Sequence, residues 1–136
     1  MTEAHQLLRS VIHIADTVQE RLEKSLEPSG LSLAKLGALR HLAEAREPLP
    51  LGQLAERISC VKSNVTQLVD RLEAEGLVKR VPDPADRRSV RAAITDEGLK
   101  RCQAGLQALE QAEGVVVSQL DLSDQATLTN LLTRLR

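Results

Sequence analysis

No aromatic residue occurs in this chain: Phe, Tyr and Trp are all absent from its 136 residues. A core made without rings must be assembled from Leu, Val, Ile and Ala, and each aliphatic side chain buries less area than an aromatic one. A small domain of this kind is short of apolar area, and a second copy of itself is one way to supply more. The same absence removes functions. Single-stranded nucleic acid is usually held by stacking bases on aromatic platforms, so that mode and RNA recognition are disfavoured. Aromatic cages and aromatic-lined cofactor slots are excluded.

The net charge is −1, so bulk basicity does not announce a partner. The distribution says more. Residues 57–91 carry 8 basic and 5 acidic side chains, against 6 and 8 in residues 1–56 and 2 and 4 in residues 102–136. A basic middle between acidic ends is expected of a chain that turns one face toward phosphate.

The two cysteines, Cys60 and Cys102, form no CxxC pair, and no Cys/His set has zinc spacing. No metal or other cofactor is expected. The N-terminal MTEAHQLLRS lacks a basic region followed by an apolar one, and no run of about 18 apolar residues occurs. The expectation is a cytoplasmic protein with free thiols and no membrane partner.

Apolar residues recur at steps of three and four through residues 3–27 (Leu7, Val11, Ala15, Val18, Leu22 and Leu26, widened by Leu8 and Ile12), which predicts a long amphipathic helix. Pro28-Ser29-Gly30 stops it. Ser32 caps a second helix to about residue 46, and Glu47-Pro48-Leu49-Pro50 breaks that one. A short helix at 51–58 and a turn, Ser59-Cys60-Val61, lead into a helix at 62–75 with Gly76 as its stop. The period then changes to two. Residues 77–81 and 90–94 predict strands around a charged tip, PDPADRRS. Thr95 caps a helix of about 95–119 that Gly98, Gly105 and Gly114 weaken, and Ser123 caps a last helix through Arg136. The fold class is mainly α, in the order α-α-α-α-β-β-α-α.

Short helix, tight turn, second helix and immediate β-hairpin make a winged helix-turn-helix pattern. Val61, Val65, Leu68, Val69 and Leu72 gather on one side of the 62–75 helix. The other side offers Lys62, Ser63, Asn64, Thr66, Gln67 and Arg71, donors and acceptors suited to base edges and phosphates in a major groove. Arg87 and Arg88 in the hairpin suit an adjacent minor groove, with one of the pair expected to be held by Asp83 or Asp86, which stiffen the wing. Lys79, Arg80 and Arg91 are further wing candidates for DNA. Strand alternation lets only one of Lys79 and Arg80 face outward.

The pieces LAERI, SNVTQLVDRLEAEGLV and DPADRRSVRAAITDEG resemble the DNA-binding lobe of MarR-type transcriptional regulators, most strongly over residues 49–98. The resemblance implies one domain over residues 1–136. Residues 32–94 would be the DNA-binding lobe, and residues 1–30 and 95–136 a helical dimerisation lobe. It also implies a homodimer on a pseudo-palindromic operator, acting as a repressor released by a small-molecule effector or by thiol oxidation. Cys60, in the turn beside Lys62 and a helix N-terminus, reads either as a buried core thiol or, in that scheme, as the redox candidate. Arg40 and His41 are the residues beside the expected ligand crevice. The family often places a capping Ser where this chain has Val61. No Ser/His/Asp or Cys/His set and no Gly-rich phosphate loop is found, so no enzymatic activity is expected.

Overall fold

A computed structural model describes residues 1–59 and 62–136, with the side chains of residues 62 and 63 outside the description. The elements in order are α1 (Glu3–Ser25), a 3-10 turn (Glu27–Ser29), α2 (Leu33–Ala45), β1 (Leu49–Pro50), α3 (Leu51–Arg57), α4 (Lys62–Ala74), β2 (Val78–Asp83), β3 (Asp86–Ile94), α5 (Asp96–Val117) and α6 (Leu122–Thr133). They fall into two compact units. One holds Met1–Ser25 and Ala108–Arg136, the other Leu26–Gln107.

The second unit contains the core. Leu39, Leu42, Leu54, Val65, Val69, Leu72 and Leu77 are each at most 1% exposed. The unit runs past residue 94 because the first turns of α5 pack into it through Gly98, Cys102 and Gly105, all buried. Its three strands are ordered β1-β3-β2, all antiparallel. The strand β1 is only two residues long, and the sequence reading had it as a helix breaker alone. The edge positions of β1 and β2 explain how each tolerates a proline, Pro50 and Pro82.

Local chemistry sets the junctions. Ser32 caps α2 by accepting from the Lys35 N–H at 3.1 Å. Gly76 ends α4 with φ of 76°. Its N–H donates to Glu73 O and that of Leu77 to Leu72 O, the two bonds of a Schellman stop. Thr95 Oγ1 accepts from the Gly98 N–H at 3.0 Å and donates to Gly76 O at 2.7 Å. The N–H of Thr95 donates to Leu77 O at 3.0 Å. One residue thus caps α5 and ties it to the end of α4. The last helix is capped by Asp121, whose Oδ1 accepts from the Asp124 N–H, and not by Ser123 as the sequence suggested. Asp121 stands just before Leu122 in extended backbone, whereas Ser123 is already inside the helix.

In the first unit neither α1 nor α6 buries a single residue. Leu7, Ile12, Ile14, Leu128, Leu131 and Leu132 are between 43% and 62% exposed. The apolar stripe predicted for α1 is present: Leu26 at its end is buried, Val11, Val18 and Leu22 are half-buried, and the rest is exposed. Within this unit Val11, Ile14, Ala15, Val18, Leu128 and Leu132 line an apolar groove of about 630 Å³.

Candidate nucleic-acid interface

The buried face of α4 is fixed by Val65, Val69 and Leu72, all fully buried at steps of four and three. That anchorage leaves Asn64, Thr66, Gln67, Asp70 and Arg71 exposed on the other side. Four of these, Asn64, Thr66, Gln67 and Arg71, are residue types that read or line a DNA groove, and they are thereby presented on one helix. The side chains of Lys62 and Ser63, assigned to the same face from sequence, lie outside the described residues. Cys60 and Val61 lie outside them altogether.

The wing is longer and more regular than the sequence suggested. Ladder pairing runs from Val78 opposite Ile94 to Pro82 opposite Val90, and then jumps to Asp83 opposite Asp86. The turn itself is only Pro84-Ala85, and Arg87, Arg88 and Ser89 fall inside the register jump with no strand partner. The turn formers in PDPADRRS thus mark a bulged hairpin end rather than a loop. Arg87 and Arg88 are exposed, and neither side chain bonds to or pairs with any described residue.

The two aspartates knit the tip through backbone groups. Asp83 Oδ1 accepts from the Ala85 N–H at 2.9 Å, and Asp86 Oδ1 accepts from the Arg88 N–H at 2.9 Å. The expectation that Arg87 or Arg88 pairs with one of them is corrected. The ion pair of Asp83 is with Arg91, at 3.3 Å. The reason is register. Val81 faces Arg91, so Asp83, two residues further along β2, shares a face with Arg91 and meets it diagonally.

The Ala85 N–H, reinforced by Arg91, holds the Asp83 carboxyl below its ordinary pKa although burial acts the other way. The sign follows: a depressed native pKa means the carboxylate supports the folded wing above the ordinary aspartate range. That support is lost only as pH falls through the native value. We expect an NMR titration to place the Asp83 midpoint below about 3.9, the unperturbed value. A midpoint at or above that value would contradict the tip geometry.

Arg80 and Lys79 point to opposite faces of β2, as alternation requires. Lys79 is exposed and has no ion pair among the described residues. The guanidinium of Arg80 turns toward α4 instead. Its Nη2 is 2.5 Å from Asp70 Oδ1 and its Nη1 2.9 Å from Glu73 Oε1. Burial works to lower the Arg80 pKa, but the two carboxylates prevail and hold it above its ordinary value. Arg80 and Arg91, two of the wing cations read as DNA-facing, are therefore already engaged by carboxylates. Sequence reasoning missed these pairs because their partners sit seven to ten residues away on other elements.

Arg40 and His41 line a cleft of about 430 Å³ within the second unit, together with Leu33, Arg57, Ile58, Ser59 and Leu68. Cys102 is 2% exposed, and burial pushes its thiol above the ordinary pKa, Glu44 adding to the effect and Arg40 opposing it. Such a thiol is a poor nucleophile and a poor redox sensor. Among the described residues no group of three or more His, Cys, Asp or Glu is arranged to hold a metal. No described helix is long and apolar enough to cross a membrane.

A sequence profile of the MarR family matches residues 29–89. The HTH-type transcriptional regulator YkoM of Bacillus subtilis is 34% identical over 95 residues, covering 70% of this chain and 61% of that protein. Over this span the chain is similar to regulators of the MarR family. A second relative, the HTH-type transcriptional repressor MdtR of Bacillus subtilis, is 32% identical over 102 residues, 72% of this chain and 65% of its own length. The chain thus spans between 61% and 65% of these two curated relatives. A MarR variant from E. coli, crystallised in complex with operator DNA, shares the fold. Its TM-score is 0.84, over 98% of this chain and 95% of that one at 24% identity. The span matched by the MarR-family profile runs from the 3-10 turn to the register jump of the wing. It contains each of the sequence-assigned DNA-facing residues except Arg91.

Proposed function

We propose that the protein is a sequence-specific double-stranded DNA-binding transcriptional regulator. It acts as a cytoplasmic homodimer that represses its target until a small-molecule effector or thiol oxidation releases it. The observation that carries DNA binding is the exposed polar face of α4 beside a hairpin whose Arg87 and Arg88 have no protein partner among the described residues. Unengaged cations release counterions when they meet phosphate, and a groove-sized helix with amide, hydroxyl and guanidinium groups can read base edges. The operator-bound E. coli MarR variant of the same fold and the named repressor among the relatives support the reading. A thiol route, in this reading, belongs to Cys60 and not to the buried Cys102.

Dimerisation is supported by the uncovered apolar faces of α1 and α6. A contiguous apolar surface of that kind marks an interaction site. A two-fold dimer suits a palindromic operator because each protomer reads one half-site. Leu132→Asp is expected to raise the dimer dissociation constant at least about a hundredfold, since symmetry places the charge in the interface twice. Sedimentation equilibrium checks this. A wild type that stays monomeric at tens of micromolar, or a variant that dimerises as well as wild type, would refute it.

The direct test is anisotropy of labelled DNA fragments from around the protein's own promoter, titrated over a salt series. The label belongs on the DNA because the chain has no Tyr or Trp. Tight, sequence-selective binding by two chains per site, falling steeply with salt, is the expected result. Weak binding indifferent to sequence overturns the reading and turns attention to a protein partner.

A further inference from the structure

We propose that Arg80 is a positioning residue that clamps the wing to the recognition helix, rather than a contact to DNA. The proposal rests on the DNA-binding reading of α4 and the hairpin. Three observations carry it. The guanidinium of Arg80 bridges Asp70 and Glu73, which lie one turn apart on α4. Glu73 then closes a second bond to the same residue, its Oε2 accepting the Arg80 backbone N–H at 3.0 Å. That N–H belongs to an edge strand, where it would otherwise be open to solvent. Strand and helix are therefore joined by side chain and main chain together, at the level of the exposed α4 face.

The clamp also settles an electrostatic problem. Asp70 and Glu73 stand on the side of α4 that carries Thr66, Gln67 and Arg71. Two bare carboxylates there would repel phosphate. Arg80 neutralises one of them, and its planar fork can hold both at once, which a lysine cannot do with the same geometry. A guanidinium already paired in this way has little charge left to exchange for DNA counterions.

Glu73→Ala gives the sharpest test, because every simple effect of that change favours binding. It removes a negative charge from the DNA side and places the best helix former in α4. We nevertheless expect about tenfold weaker binding to a specific site, because the wing loses its anchor. Arg80→Ala is expected to weaken binding by a similar factor while leaving the salt slope unchanged, and the double variant to be no worse than either single one. Amide exchange at Arg80 in the free protein should quicken in Glu73→Ala, with thermal melting confirming that each variant is folded. If Glu73→Ala tightens binding, or Arg80→Ala lowers the slope by about one, Arg80 touches phosphate and the clamp is refuted. A wild type that binds DNA while failing these tests defeats this proposal alone. A wild type indifferent to DNA defeats the DNA-binding reading itself.

Discussion

Replacing Arg87 and Arg88 together with alanine is expected to weaken specific DNA binding about a hundredfold at physiological salt. A well-placed arginine in a groove is worth roughly 1–3 kcal/mol, and two at about 1.4 kcal/mol each multiply to about that factor. The log–log salt slope should fall as well, by about one for each side chain that meets phosphate. Stability should hardly change. Both side chains are exposed, lie in the register jump, and make no bond or ion pair to a described residue. Loss of affinity without loss of melting temperature therefore separates this pair from Arg80 and Arg91, whose removal also strands carboxylates. Each single variant divides the effect, with Arg87, next to Asp86 at the tip, expected to carry the larger share. An unchanged affinity in the double variant would remove the wing from the interface.

The second large effect is on folding. Gly98→Ala is expected to destabilise the protein by about 3 kcal/mol, lowering the melting temperature by about 10 °C. On helix propensity alone the change should stabilise by up to about 1 kcal/mol, because Gly98 lies inside α5. Space decides otherwise. A Cβ at Gly98 would stand 2.1 Å from Leu77 O and 2.8 Å from a side-chain carbon of Ile94. Leu77 O is a backbone atom already accepting the Thr95 N–H, so it cannot retreat without breaking the link between α4 and α5. Gly37→Ala is the control. It sits in α2 with no described atom within 4 Å of the added carbon, and should gain about 0.5–1 kcal/mol. The two variants should be melted at one protein concentration, since association shifts the midpoint. A Gly98→Ala protein as stable as wild type would show that the approach to Leu77 is looser than described.

These cases show what was legible in the sequence and what was not. Helix order and the hairpin followed from periods of 3.6 and 2, and Ser32, Gly76 and Thr95 act where local chemistry predicted. The buried face of α4 was readable from Val65, Val69 and Leu72 alone. What escaped depends on partners distant in sequence. Gly98 reads as a helix weakener until Leu77 O is brought beneath it. Arg80 reads as a phosphate cation until Asp70 and Glu73 are seen across the gap. Two residues, Leu49 and Pro50, are too short a run to show a strand period, yet they form an edge of the sheet. Proline, aspartate and arginine around residue 84 suggested a loop, because propensity cannot distinguish a loop from a bulged end on an edge strand.

That bulged end makes the tip a separable module for evolution. From Val78 to Pro82 the ladder is in strict register with Val90 to Ile94. A single residue gained or lost there would flip every later side chain to the opposite face and expose the core. Beyond Pro82 only Asp83 and Asp86 still face each other and residues 87–89 have no strand partner, so a change of length is absorbed where it occurs. Insertions, deletions and swaps of charge can therefore accumulate around Arg87 and Arg88 while the ladder and the packing beneath it stay as they are. Descendants of this chain are free to vary the tip, with the folded scaffold inherited intact.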